Sequence, residues 1–414
     1  MYKTRISWGR SLFALLSGFL FLSVLSLPLL AATPEVEGVR EQIRNRGARW
    51  MSEETSITKL PVERRLKRLG LFKGASSAAP EASPLLESTP SVAQGTTYLN
   101  YNESPYKYVT PIRDQGDCGS CWAFAATAAL ESQVLMATRA TPTSVDLAEQ
   151  ILISCSGAGN CNGGYVDSAC SYIASTGLPS ETCFPYTATT NSCSNAACPY
   201  WQSDTDSIAA WQYVALTSPT VAALKNALLT YGPLVTTMNV YSDFYSYARG
   251  VYSYVSGSYQ GGHAVAIIGY DDTNQCFIVK NSWGTEWGEL GFFRIDYGEL
   301  NDQKVQFGYY TIAFDAYKSV QSTCTYSTSP TSVTLTRRGG YANVSVSAQS
   351  ACAWTAVSNV SWIKIVAGAK GTGNGTVRYH VKARNAFTNR TGTLTIGGNT
   401  VTVTQKGRAL SLRR

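Results

Sequence analysis

Histidine is scarce in this chain of 414 residues, which contains only His263 and His380. Sites that need several imidazoles are therefore excluded, and a reaction that uses an imidazole base has almost no choice of residue. Long apolar runs are scarce too, since residues 12–30 form the single one, and this excludes a polytopic membrane protein. Apolar residues nevertheless make up 44% of the chain, which excludes a wholly disordered protein.

Acidic side chains are absent from residues 330–414, where twelve lysines and arginines occur. Residues 74–329 have 21 acidic and nine basic side chains, and residues 1–73 have 13 basic and six acidic ones. Three zones of alternating charge predict three units with different roles. The last zone predicts a polyanion partner, such as a cell-surface glycan, lipopolysaccharide or nucleic acid, but no specific nucleic acid. The alternatives are a solvated surface and docking onto the acidic zone.

The amino terminus has the pattern of a secretory signal peptide. Three basic residues precede the apolar run of residues 12–30, and Ala31 and Ala32 follow it. We expect residues 1–32 to be removed, so that no stable membrane span remains; the alternative is an uncleaved anchor. Eleven cysteines fit export to an oxidising compartment, and the predicted location is extracellular or periplasmic.

Composition and periodicity divide the remainder into three parts. Residues 33–95 combine short helical stretches, the second at Pro61 to Leu71, with an Ala-, Ser- and Pro-rich linker over residues 74–95. Residues 96–323 begin with helices and end with strands, which predicts an α+β domain of two halves with a cleft between them. Residues 324–414 show period-two strands and turns, which predict a small all-β sandwich.

Individual elements of the α+β domain follow from its apolar periodicity. Stretches without Gly or Pro predict helices, and short apolar runs bounded by Gly predict strands. The predicted helices are Ser120–Arg139, Asp146–Ser154, Val166–Ser175 and Thr220–Tyr231, and the predicted strands are Ala264–Tyr270, Cys276–Lys280 and Gly291–Asp296.

Cys121 lies at the start of the first predicted helix, directly after Gly119 and Ser120. A thiolate there is stabilised by the partial positive charge and free N–H groups of the helix end, which favours a strong nucleophile near neutral pH. The alternative is a structural role, in which Cys121 forms a disulfide with Cys118 or another cysteine.

A nucleophilic thiol needs a base, and the base needs a group that orients it. His263 is the single histidine of the α+β domain and begins a predicted strand after two glycines. Asn281 follows the next predicted strand, 18 residues on. Neighbouring strands can bring both side chains within hydrogen-bond reach, so that the Asn oxygen accepts from one ring nitrogen and the other faces the sulfur. The alternative is a structural histidine.

Four sequence blocks resemble the signatures of the papain-like cysteine peptidases, the C1 family. They read QGDCGSCWAF, GGHAVAIIGY and VKNSWGTEWGE, with CNGGY at residues 161–165. The resemblance spans roughly residues 97–315. It implies a two-lobed papain-like fold, with a helical lobe and a β-barrel-like lobe, that acts on polypeptide substrates.

The resemblance also implies roles for the matching residues. Cys121 would be the nucleophile, His263 the base and later the acid, and Asn281 the residue that orients the imidazole. The side-chain amide of Gln115 and the N–H of Cys121 would form the oxyanion hole, which stabilises the negative oxygen of the tetrahedral intermediate. No metal site and no cofactor are predicted.

Two tryptophans complete the implied catalytic site. Trp283 would cover the contact between Asn281 and His263 and exclude water from it. Trp287 would form the wall of the cleft on the leaving-group side, and the alternative for it is core packing.

The resemblance implies a backbone edge at Gly163 and Gly164 along which extended substrates lie. Tyr165, Val166 and Ala264 would line the main specificity pocket. All three are neutral, so we expect a preference for an apolar or aromatic side chain at the second residue before the cut. The alternative is a pocket defined mostly by residues near Ile312–Phe314.

The resemblance implies two disulfides, Cys118–Cys161 and Cys155–Cys193. If Cys121 is free, the remaining cysteines allow several pairings, of which we expect Cys170–Cys183, Cys198–Cys276 and Cys324–Cys352. The segment before the linker resembles the short pro-segments of bacterial members. It would cover the cleft as an inhibitor, and its basic character would be attracted to the acidic domain.

The basic β unit resembles the small immunoglobulin-like, BACON-like modules of bacterial exported enzymes, a type proposed to bind carbohydrate. Trp354 and Trp362 are expected in its core, and sugar stacking is the alternative. The sequence thus predicts a secreted cysteine endopeptidase that forms a thioester acyl-enzyme and is made as a zymogen. Two alternatives are an inactive papain-like scaffold that binds a glycan or other polyanion, and a thiol acyl transferase.

Overall fold

The computed structural model describes residues 32–72, 74, 96–198, 201–300, 302–321, 324–348 and 352–408. The predicted signal peptide, residues 1–32, and the predicted linker, residues 74–95, lie outside these ranges apart from residues 32 and 74. Within the described ranges, no helix is long and apolar enough to cross a bilayer.

Helices dominate the first half of the α+β domain, as the sequence predicts. The described α-helices are α1 Pro34–Arg46, α2 Val62–Leu66, α3 Cys121–Thr138, α4 Glu149–Cys155, α5 Val166–Ser175 and α6 Val221–Tyr231. Short 3-10 helices lie at Pro142–Ser144, Glu181–Cys183, Cys193–Asn195, Trp201–Ser203, Ser242–Ser246 and Tyr297–Leu300. Helix α3 is rich in Ala and buried along most of its length, which makes it the central helix of its lobe.

A nine-stranded sheet forms the second half of the domain and reaches back to the pro-segment. Its strands run in the order β1-β7-β10-β9-β8-β6-β11-β5, and β2 pairs with β8. The strands up to residue 321 are β1 Trp50–Ser52, β2 Tyr98–Asn100, β3 Gly159–Asn160, β4 Gly163–Gly164, β5 Asp204–Ala215, β6 Leu234–Tyr241, β7 Tyr247–Tyr252, β8 Tyr259–Asp271, β9 Cys276–Lys280, β10 Phe292–Asp296 and β11 Tyr309–Gln321. The short β3 and β4 pair separately.

Two apolar cores lie on the two sides of the cleft. The first surrounds α3, α4 and α5, and the second lies on the sheet side, where Phe244, Trp283, Trp287 and Phe293 meet. The expected α+β architecture, with a helical lobe and a β-rich lobe, is confirmed. The cleft residues belong to elements of both lobes, so packing of the lobes sets the geometry of the site.

The carboxyl-terminal unit is an all-β sandwich, as predicted. A four-stranded sheet, β12-β14-β18-β16, faces a five-stranded sheet, β13-β20-β19-β15-β17. Its strands are β12 Tyr326–Ser329, β13 Ser332–Leu335, β14 Gly340–Ala348, β15 Ala353–Ser358, β16 Ile363–Ala367, β17 Lys370–Thr372, β18 Gly375–Val381, β19 Arg390–Ile396 and β20 Asn399–Gln405. Alternate residues of these strands fill one apolar core, which includes Trp354.

The disulfides agree with the sequence in three of five expected pairs. Cys118–Cys161, Cys155–Cys193 and Cys324–Cys352 are joined. The expected Cys170–Cys183 and Cys198–Cys276 pairs are wrong, because Cys183 pairs with Cys198. Their Cα atoms are 5.1 Å apart, within the range that a disulfide spans. Cys170 and Cys276 are free and buried on α5 and β9, elements of different lobes.

The pro-segment departs from prediction at its end. Helix is expected over Pro61 to Leu71, but α2 ends at Leu66 and the chain continues in extended form through the cleft. Glycine at position 70 weakens a helix there. The main-chain hydrogen bonds available in the cleft then stabilise the extended form instead.

Candidate active site

Cys121 is the first residue of α3 and its side chain is fully buried. Burial raises the pKa of the thiol to about 11, because it disfavours the thiolate. The N–H groups of Ala264, Gly70, Trp122 and Cys121 itself act in the opposite direction. Two of these four donors, Trp122 and Cys121, belong to the helix end, as the sequence predicts, but in this covered state burial outweighs all four and the thiol is neutral.

His263 forms the hydrogen bond that the sequence predicts with Asn281. Its Nε2 lies 2.8 Å from Oδ1 of Asn281, and the N–H of Ser282 donates to the same oxygen at 2.8 Å. The second bond fixes the orientation of the amide, so Nε2 carries the proton and Nδ1 of the neutral ring keeps a free lone pair. Among the described residues, Nδ1 has no hydrogen-bond partner.

The sheet brings this pair to the thiol. His263 lies on β8, Asn281 directly follows β9, and the two strands are antiparallel neighbours. The contact of the Cys121 sulfur with the N–H of Ala264 places the backbone next to His263 beside the thiol. Burial lowers the pKa of His263 to about 4, against the effect of the Asn281 bond, so both groups are neutral while the cleft is covered.

Two buried tryptophans pack behind the imidazole: Trp283 contacts the ring of His263, and Trp287 contacts Trp283. Trp283 is buried and packs on His263 with ring centroids 4.8 Å apart and ring planes tilted by 33°, as expected of a residue that excludes water. Trp287 is buried behind it, edge-to-face at 5.0 Å, and donates from Nε1 to the carbonyl of Tyr245. In this covered form Trp287 has no exposed surface and supports the cleft wall through Trp283.

Gln115 is held by both ends of its side-chain amide. Nε2 donates to the carbonyl of Cys118 at 2.8 Å, and Oε1 accepts from the hydroxyl of Ser282 at 2.8 Å. An amide nitrogen has two hydrogens, so one remains for an oxyanion. Ser282 thus positions both Gln115 and Asn281, a role that the sequence argument missed although the residue stands in the Asn-Ser-Trp block.

A buried ionic network lies behind the pair and joins the two lobes. Lys280, on β9, donates to the hydroxyl of Thr110 at 2.7 Å and lies 4.0 Å from the carboxylate of Glu131 on α3. Glu131 also accepts from the Thr110 hydroxyl and from the N–H of Leu147. A buried charge pair of this kind is tolerated because its members are hydrogen-bonded.

The edge at Gly163 and Gly164 is occupied by the chain's own pro-segment. The N–H of Gly164 donates to the carbonyl of Gly70 at 2.8 Å, and the N–H of Phe72 donates to the carbonyl of Gly164 at 3.0 Å. On the opposite wall, the N–H of Leu71 donates to the carbonyl of Gly262 at 3.2 Å. The pro-segment therefore lies in the cleft as an extended strand bound to both lobes.

Gly70 passes over the site at a distance that no side chain allows. A Cβ atom built on it would lie 1.9 Å from the carbonyl oxygen of Gly119, and both residues are glycine. This close approach brings the N–H of Gly70 to the sulfur of Cys121.

Leu71 of the pro-segment packs on the apolar cluster of the helical lobe. Val166, Ala264 and Ile312, which come from both sets of expected pocket residues, belong to the same cluster. A cavity of about 230 Å³ adjoins Leu71, and its lining includes Thr237 and Tyr310. Tyr165 is also in contact with the pro-segment, through an edge-to-face contact of its ring with Phe72 at 5.3 Å.

Comparison with known proteins gives the family. The model of the papain family cysteine proteases matches residues 99–313. Cathepsin B-like CP3 of Giardia intestinalis is 33% identical over 252 residues, which cover 58% of this chain and 80% of that protein. The chain belongs to the papain family of cysteine proteases.

Other papain-family members agree with this assignment. The cathepsin L-like proteinase of Fasciola hepatica is 37% identical over 203 residues, covering 48% of this chain and 59% of that protein. Among solved structures, procathepsin L2 of Tenebrio molitor has a TM-score of 0.56 at 24% identity and covers 68% of this chain and 88% of that one. This similarity shows that the fold is shared.

Alkylation of Cys121 should depend on the pro-segment. In the unprocessed chain at pH 7, the raised pKa and the buried sulfur predict slow labelling by iodoacetamide, with an increase only near pH 11. After removal of the pro-segment we expect labelling at pH 7 to be at least about a hundredfold faster, as two pKa units of thiolate imply. Mass spectrometry separates Cys121 from the buried Cys170 and Cys276, which serve as internal controls. Equal rates at Cys121 before and after processing would contradict the covered-thiol state.

Proposed function

We propose that Cys121, His263, Asn281 and Gln115 carry out peptide-bond hydrolysis in this cysteine protease. The observation that carries the proposal is the bond from His263 Nε2 to Asn281, which leaves Nδ1 unprotonated on the residue next to Ala264, whose N–H contacts the Cys121 sulfur at the start of α3. A base oriented by a third group, next to a nucleophile, is the arrangement that nucleophilic catalysis requires.

The reaction begins when the pro-segment leaves and water reaches the cleft. The proton of Cys121 moves from sulfur to Nδ1 of His263, which gives a thiolate and an imidazolium. The thiolate attacks the carbonyl carbon, and the oxyanion accepts hydrogen bonds from the Gln115 amide and the Cys121 N–H. A preorganised donor of this kind contributes ~2.7–4 kcal/mol to transition-state stabilisation.

The intermediate then collapses. The C–N bond breaks as His263 donates its proton to the leaving nitrogen, and a thioester to Cys121 remains. His263 next accepts a proton from water, whose oxygen attacks the thioester, and the thiol and a carboxylic acid are released. These steps need no metal and no organic cofactor.

We propose that the pocket that now holds Leu71 accepts an apolar or aromatic side chain at the second residue before the cut. Its support is the apolar cluster on which Leu71 packs, which includes Val166, Ala264 and Ile312, and the cavity of about 230 Å³ beside Leu71, which gives room for a side chain larger than leucine. Among the described residues that line this cavity none is acidic, so strict preference for arginine there would contradict the proposal.

The pro-segment is proposed to be an inhibitory cover that is removed by cleavage. Buried apolar contacts hold the pro-segment on the protease domain more strongly than its ion pairs do. Trp50 is buried against Tyr247 and Tyr252 and donates from Nε1 to the carbonyl of Ser253. Ion pairs such as Arg49 with Asp296, at 2.6 Å, add the predicted charge attraction, but exposed pairs contribute ~0.2–1 kcal/mol each.

Export and origin remain predictions. The disulfides fit a protein that folds in an oxidising compartment, whether secreted or lysosomal. Bacterial origin, extracellular or periplasmic location and the BACON-like type of the module rest on sequence patterns. A thiol acyl transferase is a second candidate activity of the same thiol, and competing amine nucleophiles would reveal it.

For residues 330–414 we propose binding of an anionic glycan. Tyr341, His380 and Lys364 form one cross-strand row on the open face of the four-stranded sheet, because His380 is opposite both others. The Arg378 guanidinium lies 4.6 Å from the Tyr341 ring centroid on the same face. An exposed aromatic ring flanked by cations, on a segment with no acidic residue, suits a sugar that carries sulfate or carboxylate groups.

Neither tryptophan of the module is an open stacking platform. Trp354 is buried in the core and donates from Nε1 to the carbonyl of Gly373. Trp362 is partly buried under the Arg390 guanidinium, 4.0 Å from its ring centroid. The interpretation of Trp354 as a core residue therefore holds, and Tyr341 is the exposed aromatic residue of the proposed glycan surface.

The Cys121→Ala variant of the processed enzyme should have no measurable hydrolysis of a quenched-fluorescence peptide, since it lacks the nucleophile. Gln115→Ala should keep the thiol but lower kcat by about 10²–10³, the loss expected for one oxyanion donor. Circular dichroism checks that both variants are folded. Cleavage by Cys121→Ala, or wild-type kcat in Gln115→Ala, would remove the assignment.

Replacing Trp50 by alanine should weaken the pro-segment's hold on the cleft. Loss of a buried tryptophan costs ~3–5 kcal/mol, so the unprocessed Trp50→Ala chain should show measurable peptidase activity and faster self-processing. Arg49→Ala is the control and should remain close to wild type, since it loses only an exposed ion pair. Full latency of Trp50→Ala, or equal release by Arg49→Ala, would contradict apolar anchoring.

Heparin affinity chromatography tests the glycan surface with the full chain carrying Cys121→Ala. Adding Arg378→Gln and Lys364→Gln should lower the salt concentration of elution. Lys370 lies on the other sheet, outside the proposed glycan surface. Lys370→Gln should therefore lower the salt concentration of elution by less, per positive charge removed, than the other two substitutions do. Equal effects per charge would indicate net charge alone, and no retention at low salt would exclude the proposal.

A further inference from the structure

The pro-segment continues past Cys121 onto the opposite side of the cleft. Leu71 and Phe72 bind Gly262 and Gly164 on one side of the sulfur, and Gly70 lies over it. Two residues earlier, the carbonyl of Arg68 accepts a hydrogen bond from Nε1 of Trp283 at 3.4 Å. The pro-segment therefore occupies both sides of the reacting centre.

Trp283 lies on the side of the cleft that holds the leaving group, the part of the substrate after the scissile bond. In the reaction proposed above, His263 donates its proton to the leaving nitrogen, so the substrate residues after the cut continue from the imidazole. Trp283 packs on that imidazole, with ring centroids 4.8 Å apart. A residue that is hydrogen-bonded to Trp283, as Arg68 is, consequently lies where a substrate residue just after the scissile bond would lie.

The Arg68 side chain is bound there as a ligand would be. The Arg68 side chain is 8% exposed and its guanidinium pairs with Asp114, whose side chain is 48% exposed. Withdrawing a guanidinium from water is unfavourable unless an anion compensates, and a carboxylate does so with charge-assisted hydrogen bonds. Asp114 is the anion in contact with it here.

Asp114 is fixed in place by the cleft wall. Its backbone forms a β-bridge with Trp283, and its Oδ1 accepts from the N–H of Gly116 at 2.9 Å. The next residue, Gln115, belongs to the proposed oxyanion hole. The carboxylate is therefore held at a set position relative to the reacting carbonyl and persists after the pro-segment leaves.

We propose that Asp114 forms a cation-selective subsite on the leaving-group side of the cleft, which the pro-segment fills with Arg68. This rests on the proposed function and adds a substrate class to it: polypeptides with arginine or lysine at the first or second residue after the scissile bond. In the latent chain Arg68 blocks the subsite, and in the processed enzyme a basic substrate residue takes its place.

Asp117 offers a matched comparison. It lies on the same loop and also pairs with a pro-segment arginine, Arg64, at 2.6 Å. The Arg64 side chain is 51% exposed, however, so its pair is a surface contact. A general charge effect would involve both aspartates, whereas a subsite involves Asp114.

The test uses the processed enzyme and quenched-fluorescence peptides with one constant acyl side. The first and second residues after the cut are varied in turn among Arg, Gln and Glu. We expect kcat/KM for Arg to exceed that for Gln by about fivefold at one of these positions, the size of a partly exposed ion pair. Asp114→Asn should lower this ratio to about one, and Asp117→Asn should preserve it.

Ratios measured on one enzyme preparation do not depend on how much of it is folded. Equal kcat/KM for Arg and Gln at both positions, an unchanged ratio in Asp114→Asn, or an equal loss in Asp117→Asn would each overturn the subsite. Failure of the proposed function is distinct, since an enzyme in which Cys121 is not the nucleophile would cleave these peptides after Cys121→Ala.

Discussion

At the active site, the backbone of the pro-segment contacts the backbone of the loop that precedes α3, with no side chain between them. Gly70 of the pro-segment lies so close to Gly119 that a single added carbon would overlap a carbonyl oxygen. The pro-segment covers the Cys121 sulfur here, and burial raises the pKa of the thiol and lowers the pKa of His263, so that both groups are neutral. Latency is therefore physical exclusion of water as well as of substrate.

The cover is held by contacts of unequal strength. Backbone hydrogen bonds to Gly164 and Gly262 fix the extended segment, and Trp50 anchors the part before it in the aromatic core of the β-rich lobe. The arginine pairs around the rim are mostly exposed, so salt weakens them first. An increase in ionic strength should consequently weaken the ion pairs at the edges of the pro-segment before it affects the hydrogen bonds at the centre.

The sequence blocks predict the bond between His263 and Asn281 because each couples a residue type to a local geometry. Cys121 begins a helix after a loop, whereas His263 lies within β8 and Asn281 directly follows the neighbouring strand β9, so strand pairing brings the last two together. The path of the pro-segment could not be predicted in this way. Its extended form depends on partners more than ninety residues away, whereas the local pattern up to Leu71 favours helix.

The disulfide errors have the same origin. Cys183 and Cys198 are close in sequence and a loop brings them together, whereas Cys170 and Cys276 are buried in separate lobes. The spacing of the cysteines along the sequence does not reveal which lobe holds each of them. Ser282 and Asp114 were also missed, because their roles arise from hydrogen bonds and an ion pair across the cleft rather than from residue type.

Helix α3 has a mechanical consequence for the two lobes. Its first residue is Cys121, the proposed nucleophile, and ten residues later Glu131 contacts Lys280, which directly precedes Asn281. The same helix thus carries the sulfur at its start and, near its middle, contacts the strand that positions the amide partner of the imidazole. This connection does not pass through the pro-segment, so removal of the pro-segment leaves the thiol and the orienting amide joined by a buried contact.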